Sequence, residues 1–286
     1  MQGVFLGLTT LDIMHFISTD LGPNDKIASD ETRMYTGGPA ANSAITFALL
    51  GHKAHLITDF GNSALSSIIE RELSQYGVTA ETPQAVAGQH PSVASVFVDV
   101  RTGNRAVVGE RPLNDVQFFP FAAPAYHVDV MLSDTYHLSM ALPYLRWAYE
   151  NRIPTVLDGG SWKEGLETVL PFIRYAICSE RFVVPGCSNH DESSRELKRL
   201  GVSVVCFTRG ERPMLLYAEE DTGEELPVVQ TAPVIDTLGA GDIFHGAFCS
   251  SLAEGLPLRR CLQVSAEIAA DSVRHRGPRA WGESLM

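Results

Sequence analysis

Positive charge is scarce in this chain. Its 286 residues carry 22 Lys and Arg against 34 Asp and Glu, a formal net charge of -12. That balance argues against a nucleic-acid or anionic-membrane partner, because both demand concentrated basic side chains. Any phosphate the protein handles must therefore be held locally. No apolar run reaches the ~18 residues that a bilayer-spanning helix needs. The start of the chain, Met1-Gln2-Gly3-Val4-Phe5-Leu6-Gly7, has no basic leader ahead of what reads as a buried strand. A cleaved signal peptide is not expected, and a cytoplasmic location is. Cysteine is also sparse. Cys178, Cys187, Cys206, Cys249 and Cys261 make an odd count with no C-x-x-C pair, which favours reduced, mostly buried thiols over a disulfide or zinc framework. Two phosphate-binding strings are missing as well: there is no G-x-x-x-x-G-K-[ST], and no G-x-G-x-x-G follows an early strand.

The composition is that of an ordinary globular protein, with 45% hydrophobic and 20% charged residues. Short apolar runs alternate with segments of helical period, the pattern of βαβ units and a mostly parallel sheet covered by helices. Strands are predicted at residues 4–8, 55–58, 135–138, 155–157, 176–178 and 202–208. Helices are predicted at 40–50, 63–76, 142–151 and 193–200. Two pieces break the alternation, residues 10–36 and 91–112. The second reads as a hairpin, with Val93 to Val100 turning at Arg101-Thr102-Gly103-Asn104 into Arg105 to Val108. Together they predict a small β lid over one edge of the main sheet, within a single domain spanning 1–286.

The chemistry is concentrated in Asp236-Thr237-Leu238-Gly239-Ala240-Gly241-Asp242-Ile243-Phe244-His245-Gly246-Ala247-Phe248. After Asp242 the apolar residues fall on one helical face, so Gly239, Ala240 and Gly241 sit at a helix mouth. Glycines there let backbone N–H groups converge on an anion, and the positive end of the helix dipole adds to them. Electrostatics alone would not place the Asp242 carboxylate beside that anion. It makes sense as a base that takes a proton from an attacking hydroxyl. An isolated Gly-Ala-Gly-Asp is equally served by a tight turn whose carboxylate complements the dipole, so the longer string has to decide.

That string resembles the signature of the ribokinase (PfkB) family of carbohydrate kinases, D-T-x-G-A-G-D-x-F-x-G-A, without a departure. The family's N-terminal G-G-x-x-x-N is matched by Gly37-Gly38-Pro39-Ala40-Ala41-Asn42. The resemblance covers essentially the whole chain. It implies a ribokinase-like three-layer α/β fold with a mostly parallel central sheet and a small β-sheet lid. It implies an ATP-dependent phosphotransferase acting on a hydroxyl of a small sugar, whether ketohexose, pentose or related polyol, with ATP, Mg²⁺ and K⁺ as cofactors.

Residue by residue, the resemblance makes Asp242 the general base and Gly239, Ala240 and Gly241 the anion hole. Asp12, Gly38 and Asn42 become acceptor-site residues, and Asp236 helps organise a monovalent-cation loop. Thr208 and Gly210 run beside the nucleotide. A homodimer through the lid is expected on the same ground.

Two departures accompany the match. The N-x-x-E segment is replaced by Ser179-Glu180-Arg181-Phe182, with Ser179 left on the nucleotide side. In T-x-G-x-x-G, Pro213 stands where the last glycine is usual. The ketohexokinase-like branch also lacks N-x-x-E, which leans the acceptor toward a ketohexose.

Outside the signature, Asp158 ends a predicted parallel strand, where ligands collect in open α/β sheets, and is a candidate Mg²⁺ neighbour or a helix cap. Arg105, on the return strand of the hairpin, is placed to reach over the acceptor or to serve as a solvated edge charge. His245 reads as structural, and His275 and Arg279 as surface residues. Competing readings are a nucleoside kinase of the same family, which needs an aromatic wall near the acceptor, and a sugar- or nucleotide-binding regulator that has lost catalysis.

Overall fold

The computed structural model describes residues 1–82, 88–103, 105–110, 121–218 and 222–285. In chain order its strands are β1 (Gln2–Leu6), β2 (Thr10–Ile17), β3 (Glu31–Gly37), β4 (Lys53–Ile57), β5 (Val78–Glu81), β6 (Ser92–Asp99), β7 (Arg105–Gly109), β8 (Val130–Ser133), β9 (Thr155–Gly159), β10 (Tyr175–Ser179), β11 (Val204–Arg209), β12 (Arg212–Tyr217) and β13 (Glu224–Leu226). The α-helices are α1 (Pro39–Leu49), α2 (Ser66–Gln75), α3 (Leu138–Glu150), α4 (His190–Arg199), α5 (Ala240–Ala253) and α6 (Leu258–Ser272). No helix among the described residues is long and apolar enough to cross a membrane.

Nine strands form one sheet in the order β13-β12-β11-β10-β9-β8-β1-β4-β5. From β11 to β5 every pairing is parallel, and the β12 and β13 edge is antiparallel. The central strands are buried along almost their whole length, which is why they read as unbroken apolar runs rather than alternating ones. Alternation survives in which layer each side chain enters. Val4 and Leu6 enter the layer that also holds Leu145 of α3 and Leu197 of α4. Phe5, between them, packs edge-on against Phe47 of α1 in the layer that also holds Leu73 of α2 and Phe248 of α5.

The remaining four strands form a separate sheet in the order β3-β2-β6-β7. Its inner face buries Met14, Phe16, Val96 and Val98, with Tyr35 and Leu238 packed against them. Leu238 belongs to the signature, so this small sheet rests directly on the loop that leads into α5. The hairpin is antiparallel, with Val98 opposite Arg105. Asn104 at its turn and the last two residues of the predicted lid segment, 111–112, lie outside the described residues.

The strand predicted at 135–138 is wrong. The strand is β8, at 130–133, and Leu138 already opens α3. Asp134 sets the boundary. Its carboxylate accepts the backbone N–H of Leu8 at 2.8 Å and of Tyr136 at 2.8 Å, turning the chain out of the sheet against the β propensity of Thr135 and Tyr136. Helix α3 begins at Leu138, four residues before the predicted start, and runs through Pro143. Helix α4 begins three residues earlier than its apolar period suggests, because the Asn189 side chain caps it by accepting from Glu192 N–H at 2.9 Å.

Candidate active site

Two helices meet at the site. Helix α1 starts after Gly38, which sits at φ 93° with the Leu8 carbonyl oxygen 2.3 Å from where a Cβ would be. Only glycine fits both demands, so the chain turns sharply from β3 into α1 and delivers Asn42 one turn later. Helix α5 starts after Gly239, at φ 74°, and no side chain caps it. Ala240 N–H makes a long contact to the Thr237 carbonyl at 3.4 Å, and the N–H groups of Gly241 and Asp242 are left for an anion.

The two helix starts are tied together at Asp242. Asn42 Nδ2 donates to Asp242 Oδ2 at 2.6 Å, and Ser43 Oγ donates to the Asp242 carbonyl at 3.0 Å. One turn on, Gly246 lets the helices touch: a Cβ there would lie 2.5 Å from the Ser43 carbonyl oxygen. Gly246→Ala should therefore cost about 1–3 kcal/mol of stability and lower kcat by prising Asn42 from Asp242. A urea unfolding midpoint equal to that of the unmodified protein would contradict this.

Asp242 is half-buried. Burial, then the nearby Asp158 charge, push its carboxyl up to about 7, against the Asn42 hydrogen bond and His245, with Asp12 adding to the rise. Asp12 projects from β2, where Thr10 Oγ1 donates to it at 2.6 Å, and burial raises its carboxyl as well. A Cβ on Gly37 would overlap that carboxylate. Asn42 is 5% exposed, and its buried Oδ1 has no hydrogen-bond partner, an acceptor that a bound hydroxyl could satisfy.

On the other side of the α5 entrance lies a cleft of about 490 Å³, lined among others by Thr208, Gly210, Val228, Ala240, Gly241 and Phe244. Thr208, Gly210, Ala240 and Gly241 thus line the same cleft. Ser179 stands opposite Thr208 in the β10–β11 register but gives its hydroxyl to the Gly160 carbonyl at 2.8 Å and does not line the cleft. The position of the missing family acid is filled by Phe182, fully buried and 6.0 Å from Trp162, while Glu180 pairs with Arg212. Pro213 begins the buried stretch of β12, and its carbonyl accepts from Arg209 at 2.5 Å.

Arg105 reaches from β7 to the hydroxyl of Thr237, joining the small sheet to the signature. Asp236 is buried, and its two oxygens accept the N–H of Leu238 at 2.9 Å and of Gly277 at 3.0 Å, clamping the same loop to the C-terminal segment. Asp158 does not border the cleft as a metal neighbour would. Its carboxylate is buried beneath α5, 3.3 Å from His245 Nδ1. Among the described residues no group of three or more His, Cys, Asp or Glu is gathered to hold a metal ion.

The placement of Arg279 on the surface is also overturned. It is 2% exposed, donates to the Thr36 carbonyl at 2.5 Å and pairs with Glu72 at 3.1 Å. Asp134 is hidden in the sequence by the strand propensity of Thr135 and Tyr136 that follow it.

The profile of the pfkB family of carbohydrate kinases matches residues 4–283. The chain belongs to that family. As a pfkB kinase it is an ATP-dependent enzyme of sugar phosphorylation. It is 24% identical over 286 residues to a nucleoside kinase of Methanocaldococcus jannaschii, covering 95% of this chain and 90% of that one. It is 27% identical to a fructosamine kinase of Bacillus subtilis, covering 88% and 89%. The ribokinase of Arabidopsis thaliana, solved with ribose and ATP, superposes with a TM-score of 0.75 at 19% identity, covering 99% and 98%. The pfkB kinase therefore has the ribokinase-like fold expected for it, with a large mostly parallel sheet and a smaller separate one.

Proposed function

We propose that this kinase transfers the terminal phosphoryl group of ATP to a hydroxyl of a small neutral polyol, a ketohexose, pentose or related sugar, with Asp242 as general base. The observation that carries the reading is the tie between Asn42 and Asp242 at the uncapped entrance of α5. It holds a carboxylate beside the backbone donors of Gly239, Ala240 and Gly241, between the cleft and the Asp12 side.

ATP lies in the cleft along Thr208 and Gly210, and its terminal phosphate meets the first turn of α5. The acceptor lies on the other side, where Asp12 and the unpartnered Asn42 Oδ1 take hydrogen bonds from its hydroxyls. Gly38 lets it approach the backbone, and Arg105 closes over it from the small sheet. As the oxygen attacks in line, Asp242 accepts its proton, and the backbone N–H groups stabilise the equatorial charge. Leu238 and the apolar face of the small sheet keep water from the reacting atoms.

Mg²⁺ keeps several waters and is usually held by substrate phosphates with one or two carboxylates. Bound through the ATP phosphates, Mg²⁺ would neutralise phosphate charge beside the α5 entrance. Asp236, by fixing the loop from 236 to 238 against Gly277, supports a role in shaping a K⁺-binding loop. The free state of all five cysteines supports a reducing, cytoplasmic compartment. Met34 and Val108 share the outer face of the small sheet through the Ile13 and Ser95 register and expose 52% and 68% of their surface, which supports a homodimer through that face.

The test is ADP release with Mg²⁺ and K⁺ against ketohexoses, pentoses, polyols and nucleosides, run from pH 5 to 9. Nucleosides belong in the panel because the Methanocaldococcus relative is a nucleoside kinase. With the Asp242 carboxyl near 7, kcat/KM should rise as the pH climbs through about 7, since the base works only when ionised. A rate flat from pH 5.5 to 8 would remove Asp242 from that role.

A further inference from the structure

His245 is the signature side chain that the mechanism above leaves unused. It is 4% exposed, and each of its ring nitrogens faces oxygen. Nδ1 lies 2.7 Å from the Gly241 carbonyl oxygen and 3.3 Å from Asp158 Oδ2, and Nε2 lies 3.0 Å from the Ile177 carbonyl oxygen. The approach to Asp158 is at ion-pair distance without hydrogen-bond alignment, and Asp158 Oδ2 has no hydrogen-bond partner. An imidazole with a carbonyl acceptor at each nitrogen is satisfied at both only when both carry a proton.

We propose that His245 and Asp158 form a buried ion pair that positions the anion hole and sets the charge balance around Asp242, making His245 a positioning residue for phosphoryl transfer. The mechanical part is direct. The ring anchors the Gly241 carbonyl from beneath, and Gly241 is one of the three residues whose N–H groups form the anion hole. A signature helix that ends its first turn on such a tether holds its donors in place before ATP arrives.

The electrostatic part follows from the groups around the base. Asp158 from β9 and Asp12 from β2 oppose ionisation of Asp242, while His245 on α5 and the Asn42 amide on α1 favour it. Asp158 in turn faces Asp134 after β8, Cys178 on β10 and Cys249 on α5. Burial holds both thiols protonated, so they add no charge. His245 is thus the cation set against this carboxylate cluster. Without it, Asp158 would press its charge on Asp242 unopposed.

The proposal rests on Asp242 as base, and the experiment separates the two. The full-length chain is made as His245→Gln, Asp158→Asn and the double variant. The titration of the Asp242 carboxyl carbon is followed by ¹³C NMR, assigned with Asp242→Asn, and kcat and KM are measured against pH. D-fructose, D-ribose and cytidine serve as acceptor probes.

His245→Gln should move the Asp242 midpoint up by about one pH unit and Asp158→Asn should move it down by a similar amount. The double variant should fall between them, and kcat of His245→Gln at pH 7 should drop about tenfold with KM for ATP little changed. Single variants that move the midpoint in the same direction, or leave it in place, overturn the pair. Asp158→Asn is isosteric, so its downward shift tests the proposal even if His245→Gln fails to fold. A carboxyl that shifts as described while the acid limb of kcat/KM stays fixed supports the pair and overturns the base.

Discussion

Asp242→Asn should lower kcat by roughly 10²–10⁴-fold, leave ATP affinity within a few-fold, and make the protein more stable at pH 8. The loss of turnover follows from the role of the base. Asparagine keeps the size of the side chain and can still accept from Asn42, so the anion hole and the cleft stay in place while nothing takes the hydroxyl proton. The gain in stability follows from the same burial that tunes the base. In the folded protein the carboxyl is pushed up to about 7 from an ordinary value of 3.8, so the fold holds that proton more tightly than the unfolded chain does.

The sign is fixed by that difference. Below about pH 4 both states are protonated and there is no penalty. As the pH rises toward 7 the unfolded chain ionises freely and the fold does not, so stability declines until the folded carboxyl has ionised. Because the side chain is only half-buried, solvent screening reduces the full linkage, and on the order of 2 kcal/mol is expected at pH 8. Thermal melting of the two proteins should diverge from pH 5 to pH 8, with the asparagine variant higher. Equal melting temperatures at both pH values would mean that Asp242 is not strained by its site. Kcat within tenfold of the unmodified protein would sink the base.

What could be read from the chain beforehand was whatever is encoded by neighbours in sequence. The entrance to α5 is one such feature. Gly239, Gly241 and Asp242 are adjacent, and the positive φ and the open first turn are local requirements. The two buried layers were legible for the same reason, since strands such as β1 and β9 announce themselves by short apolar runs. The failures are where distant partners decide. Thr135 and Tyr136 have strand propensity, yet the Asp134 carboxylate bonds Leu8, 126 residues away, and ends the strand early. His245 reads as structural and is buried, but its second acceptor, Ile177, is 68 residues upstream and so is not legible from the helix alone. Asp158 sat at the carboxyl end of a parallel strand, as expected, but a lone aspartate in that place does not say whether it faces a ligand or another side chain.

Arg279 is the largest of these long-range surprises, and removing it should be the most damaging single change outside the phosphoryl-transfer site. Its donors reach the Thr36 carbonyl, 243 residues away, and the Glu72 carboxylate. Glu72 in turn accepts the Thr36 N–H at 2.5 Å, and the guanidinium lies 5.9 Å from the centre of the Tyr76 ring. The side chains of Arg279 and Glu72 are 3% and 14% exposed. This network pins the end of β3, next to Gly37 and Gly38, and so fixes the strand against which Asp12 is held.

Arg279→Ala strips the cation from a buried carboxylate and the donor from a buried carbonyl together. Losing one partner of such a pair costs about 3–5 kcal/mol, which for a chain of this size lowers the melting temperature by roughly 10 °C. Neutralising the pair instead of breaking it should be far gentler. In Arg279→Met with Glu72→Gln, the glutamine oxygen still accepts from Thr36 and no charge is stranded, so at least half of the lost stability should return. If the network also steadies the acceptor side, Arg279→Ala assayed well below its melting temperature should raise KM for the acceptor more than KM for ATP. An alanine variant that melts within about 2 °C of the unmodified protein would return Arg279 to the solvent-exposed role its sequence position suggests.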